Sequence, residues 1–181
     1  TIRFKTMKKV LFILPNLDAG GAERVISFVA QHIDPIKFNS ELLVIGHKEK
    51  SVYATDKVQT KFLGKNRVIL AVPSLLWYLI KNKPDVVLTS IGHLNTLMAF
   101  IILFFPKTKL AIREASVISS FKEFMTSNSL HDFLSKKCYP LVDAVICQSK
   151  DMADDFKKIY NIPREKLYVI NNDEKEISIP L

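Results

Sequence analysis

The chain has 181 residues, of which 48% are hydrophobic and 24% are charged, a composition typical of a globular domain with a substantial core. Its apolar runs are shorter than the roughly 20 residues that a membrane-spanning helix needs, so no such helix is expected. The formal net charge of +8 favours an anionic partner such as a nucleic acid, an anionic membrane or a sugar nucleotide. Neither zinc-finger spacing nor an aromatic RNA-binding signature is present, so a nucleic-acid partner is not expected.

The first predicted elements are a strand, a glycine loop and a helix. Residues 10–14 form a continuous apolar run, typical of a strand buried on both faces, and Pro15 ends it. A polar turn with Gly20 and Gly21 follows, and the apolar spacing over residues 22–32 predicts a helix. Such a loop lets the backbone approach a ligand, and the helix N-terminus favours an anion. A plain tight turn would also explain the two glycines.

The rest of the chain alternates predicted strands with predicted helices. Short apolar runs between turn residues predict strands at residues 41–45, 58–63, 86–88, 110–112, 144–147 and 167–170. Apolar residues at helical spacing predict helices at residues 73–80, 96–105 and 130–139, and after Ser149. Residues 117–129 are expected to be irregular. This alternation predicts an α/β fold with a doubly wound, mostly parallel Rossmann-like sheet and helices on both faces.

Polar residues follow three of the predicted strands. These groups are residues 18–24, 90–95 and 113–116. In a doubly wound sheet, ligands bind at the carboxyl ends of the strands. We therefore expect the three groups to share one edge of the sheet and to form a site there.

The sequence Gly-Gly-Ala-Glu-Arg at residues 20–24, placed after the first strand, resembles the opening loop of family 4 retaining glycosyltransferases. Later segments are similar to motifs of that family in the same order, namely residues 90–96, 113–115, 142–152 and 162–172. The first two of these segments are similar to strand-end motifs of relatives that build cell-surface polysaccharides. The resemblance covers about residues 8–172, and it implies the GT-B fold of two Rossmann-like domains.

The resemblance also implies a domain organisation. Residues 1–6 are interpreted as an extension or cloning remnant, residues 7–172 as the acceptor-binding N-terminal domain, and residues 173–181 as a truncated crossover or tail. The family usually continues from the final asparagine into proline or glycine, whereas Asn172 is followed by Asp173. The family's C-terminal donor domain, which binds most of the nucleotide sugar, is expected to be missing from this chain.

The function implied by the resemblance is transfer of a sugar, with retention, from a nucleotide sugar to a lipid-linked or glycan acceptor in cell-surface polysaccharide synthesis. This domain alone would be inactive, and no metal or other cofactor is expected. A cytoplasmic location is expected, with docking on the anionic inner face of the cell membrane through the apolar helices at residues 74–80 and 97–105. The alternative is a non-enzymatic Rossmann-like binding or adaptor domain, which predicts no cluster at the strand ends.

The glycine loop supplies four expected substrate-binding residues. The resemblance implies that Gly20 and Gly21 let the backbone approach the donor phosphate or an acceptor hydroxyl. It places Glu23 and Arg24 beside the substrate, although the two side chains would also be explained by pairing with each other or with solvent.

The other two groups supply the expected catalytic residues. His93 would hydrogen-bond a sugar or assist proton transfer, and Glu114 would accept a proton from the acceptor hydroxyl or orient the sugar. Asn95 and Arg113 would bind substrate, Arg113 by offsetting its anionic charge. Simpler alternatives are a histidine satisfied by neighbouring polar groups, an asparagine that caps the following helix, and a local contact between Arg113 and Glu114.

Overall fold

The computed structural model describes residues 7–114 and 129–171, and these contain one seven-stranded sheet. Its strands are β1 (Lys8–Leu14), β2 (Phe38–Val44), β3 (Gln59–Phe62), β4 (Val86–Ser90), β5 (Lys109–Arg113), β6 (Ala144–Cys147) and β7 (Leu167–Val169). They lie in the order β3-β2-β1-β4-β5-β6-β7, and every neighbouring pair is parallel.

Five α-helices lie within the described ranges. They are α1 (Gly21–His32), α2 (Val72–Asn82), α3 (Gly92–Ile101), α4 (Ser129–Cys138) and α5 (Lys150–Tyr160). Short 3-10 turns precede α2 at Val68–Ala71 and follow α3 at Ile102–Phe104. In this part of the chain, no helix has both the length and the apolar character needed to cross a bilayer.

Different helices cover the two faces of the sheet. Along β1, Phe12 packs in one cluster with Ile26 of α1, whereas its neighbour Ile13 lies in a second cluster with Leu94 of α3. The second cluster also contains buried residues of α2, α4 and α5. Since successive strand side chains point to opposite faces, the continuous apolar run of β1 serves both layers. The predicted doubly wound α/β fold with a parallel sheet is confirmed.

The strand order reverses beside β1, and this reversal positions the site. From β1 the chain moves through β2 to β3 on one side, whereas from β4 it moves through β5 and β6 to β7 on the other. The connections after β1 and β4 therefore leave the carboxyl edge of the sheet in opposite directions. A crevice opens between such connections, and ligands bind there in open α/β sheets.

The element boundaries differ most from the predicted ones in β2 and α3, and the others differ by at most two residues. β2 begins at Phe38 rather than at residue 41, because the polar Asn39 and Ser40 pair with β1 and extend the ladder. α3 begins at Gly92 rather than at residue 96 and ends at Ile101. The predicted α5 start is confirmed, since the hydroxyl of Ser149 accepts a hydrogen bond from a backbone N–H of the first turn. The expectation of irregular structure at 117–129 falls almost entirely outside the described residues, and Ser129 already belongs to α4.

Candidate functional site

The carboxyl edge brings together the polar groups that follow β1, β4 and β5. These three strands are neighbours in register, so that Thr89 pairs with Ile13 and Ser90 pairs with Arg113. The predicted convergence at one edge is confirmed for residues 18–24, 90–95 and 113–114. Residues 115 and 116, which belong to the third predicted group, lie outside the described part of the chain.

The loop after β1 is held by short hydrogen bonds. The side-chain amide of Asn16 donates to the Asp18 carboxylate over 2.7 Å, and the backbone N–H of Gly20 donates to the Asp18 carbonyl over 2.7 Å. The hydroxyl of Tyr53 donates to the Gly20 carbonyl over 3.1 Å. Because α1 starts at Gly21 with Gly20 as its N-cap, the predicted strand, glycine loop and helix are confirmed.

Asn16 is a residue of this loop that the sequence did not single out. Its side-chain oxygen Oδ1 is buried and has no hydrogen-bond partner within the described ranges. Buried polar atoms are nearly always hydrogen-bonded, so an unpaired acceptor needs an explanation. A loop asparagine after a strand is common in turns, and its sequence position carries no signal of an unpaired atom.

The two glycines of the loop have different surroundings. A Cβ atom added at Gly20 would collide with the carboxylate of Glu23, which lies in the first turn of α1. A Cβ added at Gly21 would meet no atom within 4 Å, and Gly21 does not have a positive φ. The fold therefore does not require glycine at position 21, where the space beside the helix N-terminus is open.

Glu23 and Arg24 point in different directions from the first turn of α1. Glu23 is buried, with 9% of its surface exposed, and its carboxylate lies against Gly20 at the helix N-terminus. That position suits a negative charge, because the helix dipole is positive there. Arg24 is exposed at the same end of the helix. The two side chains place opposite charges at the entrance of the crevice.

The chain enters α3 through a strained residue. Ile91 has φ 85° and ψ 120°, and a β-branched residue with positive φ is a genuine outlier. Gly92 then begins the helix, and His93 lies exposed in its first turn. Strain of this kind persists only where the surrounding structure fixes the conformation. The polar contacts beneath this turn provide that fixation.

Asn95 is the centre of the polar contacts beneath the turn. Its side chain is fully buried, and its oxygen accepts a hydrogen bond of 2.7 Å from the Thr89 hydroxyl. Its Nδ2 donates to the Arg113 carbonyl over 3.0 Å and to Glu114 Oε1 over 2.7 Å. Asn95 therefore ties α3 to β4 and β5. The alternative that it caps α3 is wrong, because the N-cap is Ile91.

Tyr139 completes the contacts around Glu114, although the sequence did not single it out. It follows α4, is only 2% exposed, and its hydroxyl lies 3.3 Å from both Glu114 Oε1 and the Gly92 carbonyl. The hydroxyl of Thr96 donates to the same Gly92 carbonyl over 3.0 Å. A buried tyrosine hydroxyl usually has a partner, but the sequence does not say which one.

Comparison with known proteins shows the family of this chain. The sequence profile of Glycosyltransferase Family 4 matches residues 19–172, which is most of the chain. The chain belongs to Glycosyltransferase Family 4. The comparison with curated proteins gives no match.

Solved structures share the fold of this Family 4 domain. HepE from Anabaena, in complex with UDP, aligns with a TM-score of 0.66 at 13% identity over 92% of this chain and 44% of its own. The apo lipopolysaccharide outer core galactosyltransferase WaaB aligns with a TM-score of 0.65 at 15% identity, over 92% of this chain and 46% of its own. The UDP-GlcNAc 2-epimerase from Neisseria meningitidis, bound to UDP-GlcNAc, aligns with a TM-score of 0.61 at 16% identity. The alignment covers 89% of this chain and 45% of the epimerase chain.

These structural likenesses establish the fold alone. The chain spans slightly less than half the length of each of these solved relatives. The architecture predicted from the resemblance, the Rossmann-like N-terminal half of a GT-B fold, is confirmed by the parallel sheet and by these alignments.

Burial sets the electrostatics of Glu114 in the Family 4 domain. Removal of the carboxyl group from water raises its pKa above the usual glutamate value, while the hydrogen bonds from Asn95 and Tyr139 and the charge of Arg113 act in the opposite direction. Burial, followed by the charge of Glu114, also raises the pKa of the Tyr139 hydroxyl well above its usual value. The neutral form of Glu114 is therefore favoured more than in a solvated glutamate.

Arg113 and Glu114 are consecutive but point to opposite faces of the sheet. Nη1 of Arg113 lies 3.4 Å from the Ser90 hydroxyl, whereas Glu114 faces α3 and Asn95. Burial lowers the pKa of the Arg113 guanidinium, and the nearby Glu114 charge opposes that shift. Arg113 and Glu114 thus place one buried ionisable side chain each on opposite faces of the carboxyl edge.

The predicted site residues fall into two sets. Those at the crevice surface are Gly20, Gly21, Arg24 and His93, whereas those buried beneath it are Glu23, Asn95, Arg113 and Glu114. The described part of the chain contains no cluster of three or more histidine, cysteine or acidic side chains arranged to hold a metal. The roles of all eight residues, and the absence of a cofactor, stay predictions.

Proposed function

We propose that this chain is the acceptor-side, N-terminal domain of a retaining glycosyltransferase, which moves a sugar from a nucleotide sugar to a lipid-linked or glycan acceptor in cell-surface polysaccharide synthesis. The observation that carries the proposal is the crevice between β1 and β4, at the carboxyl edge of a Family 4 domain. HepE, solved with UDP and with UDP-glucose, and WaaB, named as a galactosyltransferase, have the same fold.

The loop after β1 suits the polar and anionic parts of a nucleotide sugar and its acceptor. The open space at Gly21 admits a ligand to the N-terminus of α1, where backbone N–H groups and the helix dipole favour an anion. Arg24 lies exposed at the same place and adds a positive charge. The unpaired Oδ1 of Asn16 is an acceptor for a sugar hydroxyl or for a water that a ligand orders.

The first turn of α3 supplies the group that faces the reacting atoms. His93 is exposed in that turn, and it would hydrogen-bond the sugar or transfer a proton. Glu114 is buried below, in contact with Asn95 and Tyr139. We therefore assign Glu114 a positioning role, in which the carboxyl group fixes the turn that carries His93. Its direct acceptance of a proton from the acceptor hydroxyl stays a prediction.

The cellular setting follows from the same proposal. A lipid-linked acceptor and a nucleotide sugar would meet at the cytoplasmic face of the membrane, where the domain binds peripherally. The reaction would need no metal or other cofactor, because positioned hydrogen-bond donors and a histidine supply the charge stabilisation and proton transfer.

The test uses the complete gene product, incubated with labelled nucleotide sugars and with a lipid extract or a glycan. We expect label to move to the acceptor, and His93→Ala to lower kcat/KM by about a hundredfold, within the range of general acid–base catalysis. His32→Ala is the matched control, since His32 is an exposed histidine in the last turn of α1, away from the crevice. Binding of nucleotide sugar without any transfer would instead support the non-enzymatic binding domain.

A further inference from the structure

The outer face of α2 is apolar, although it faces solvent. Trp77 and Ile80 are each 60% exposed, and Pro73 is exposed one turn before them. The spacing of four and three residues places the three side chains on one stripe of the helix. A helix at the surface of a soluble domain normally presents polar residues there, so this face differs from the usual pattern.

The 3-10 turn before α2 continues the stripe. Ile69 is 65% exposed and Leu70 is 58% exposed in the turn Val68–Ala71. We call the five residues together the α2 stripe, namely Ile69, Leu70, Pro73, Trp77 and Ile80. Contiguous exposed apolar patches of this kind mark contacts with proteins, membranes or ligands.

The segment that carries the α2 stripe is strongly basic. Residues 57–84 contain no aspartate or glutamate and six basic residues, namely Lys57, Lys61, Lys65, Arg67, Lys81 and Lys83. The ammonium group of Lys81 lies 4.7 Å from the centre of the Trp77 ring, so charge and apolar surface are directly adjacent. An apolar stripe on a segment whose charged residues are all cations matches the interface of an anionic bilayer.

A hollow beside the stripe adds room for a lipid. It lies between β3 and α2, has a volume of about 460 Å³, and is lined by Lys61, Phe62, Leu63 and Trp77 among others. Its lining is mostly apolar with one ammonium group at its border. Such a hollow accepts part of an acyl chain or head group next to Trp77.

We infer that the α2 stripe is the surface by which this domain docks on an anionic lipid bilayer. Its apolar side chains insert at the level of the head groups, and the surrounding lysines and Arg67 meet the lipid phosphates. This inference rests on the surface alone and holds whether or not the protein transfers a sugar.

The stripe reaches the edge of the sheet that carries the crevice. Because β3 ends at the carboxyl edge, the turn at Val68–Ala71 lies near the edge that carries the crevice. Phe104, which is 69% exposed after α3, lies near the opposite edge, because β5 starts soon afterwards. The α2 stripe therefore begins near the edge that carries the crevice and extends along α2 toward the opposite edge, where β4 starts.

The chain provides its own reporter for docking, because Trp77 is its only tryptophan. We expect the fluorescence emission of Trp77 to shift to the blue when vesicles of phosphatidylglycerol and phosphatidylcholine are added. The 181-residue chain should also co-sediment with these vesicles. Vesicles of phosphatidylcholine alone should do neither, and salt should weaken the binding. No emission shift, or an equal shift with neutral vesicles, would overturn the inference.

Two pairs of variants locate the surface while keeping Trp77. The double variant Leu70→Ser, Ile80→Ser should weaken vesicle binding about tenfold or more, because it removes inserted apolar surface. Phe28→Ser is the control, since Phe28 is 47% exposed on α1, across the sheet. Melting midpoints confirm that both variants fold. Equal losses from the two would contradict the assignment.

A second pair of variants tests the basic residues, and vesicle binding is again followed by the fluorescence of Trp77. Lys65→Gln with Arg67→Gln should weaken binding to anionic vesicles about tenfold or more, whereas Lys157→Gln with Lys158→Gln on α5 should change it little. Duplex DNA is added in a parallel titration, because a basic surface also attracts nucleic acid. A blue shift of Trp77 with DNA as large as with anionic vesicles would contradict a lipid surface.

Discussion

At the scale of single residues, the buried contacts beneath α3 explain how an unfavourable backbone is maintained. Ile91 adopts a positive φ, and the next residue, Gly92, has its carbonyl within reach of the hydroxyls of Thr96 and Tyr139. Glu114 joins the same group through Asn95. The exposed His93 is thus placed by buried side chains, of which Asn95 and Thr96 lie on α3 itself, Tyr139 follows α4 and Glu114 follows β5.

The raised pKa of Glu114 predicts how stability changes with pH. A carboxyl group with a raised pKa favours the native state while protonated, and that contribution is lost as pH rises from the usual glutamate value of 4.5 through its value in the folded protein. Glu114→Gln should therefore raise the melting midpoint relative to wild type at pH 8, and the gain should shrink at pH 4. A gain that is larger at pH 4 would contradict burial as the dominant cause.

At the scale of elements, the sequence predicted the types better than the starting points. The apolar runs of β1, β4 and β6 and the amphipathic spacing of α1 are local signals, and each was interpreted correctly. The start of α3 was placed four residues too late, because residues 92–95 read as a polar loop. What permits the early start is the conformation of Ile91, which no apolar pattern encodes.

The turn into α3 offers a direct test of that conformation. At ordinary positions glycine is about 0.5–1 kcal/mol less stable than alanine, but at a positive φ the preference reverses. Ile91→Gly should therefore melt higher than Ile91→Ala, by about 1 kcal/mol in free energy of unfolding. Ile36 is an exposed isoleucine without positive φ, so there the alanine variant should be more stable than the glycine variant. The usual order at both positions would contradict the strained turn.

The candidate site was predictable only in part, because contacts between residues far apart in the sequence leave no local pattern. The carboxyl edge follows from the parallel order of the strands, so the three polar groups were placed together correctly. Tyr139 was missed because it lies 25 residues from Glu114, and only the packing of α4 brings the two together. The burial of Asn95 and the unpaired oxygen of Asn16 are likewise results of packing, and composition does not report them.

At the scale of the whole molecule, the domain resembles less than half of each solved relative. Transfer requires that donor and acceptor be held together in the reacting geometry, and each of these relatives is more than twice as long as the part that this chain matches. We expect the 181-residue chain alone to show no transfer from nucleotide sugars to a lipid extract. Turnover at a rate typical of a complete enzyme, near 1 to 10³ per second in order of magnitude, would contradict this expectation.

The open space at Gly21 is, in our proposal, where the substrate binds. Position 21 tolerates a side chain, since an added Cβ meets no atom within 4 Å and φ is not positive. The measurement is the transfer rate of the complete gene product for wild type, Gly21→Ala and Gly21→Val, alongside their melting midpoints. We predict melting midpoints no lower than that of wild type, because alanine and valine replace a helical glycine where there is room for a side chain, and a kcat/KM that falls with side-chain size, by at least tenfold for valine. A valine variant that melts and transfers like wild type would contradict the claim.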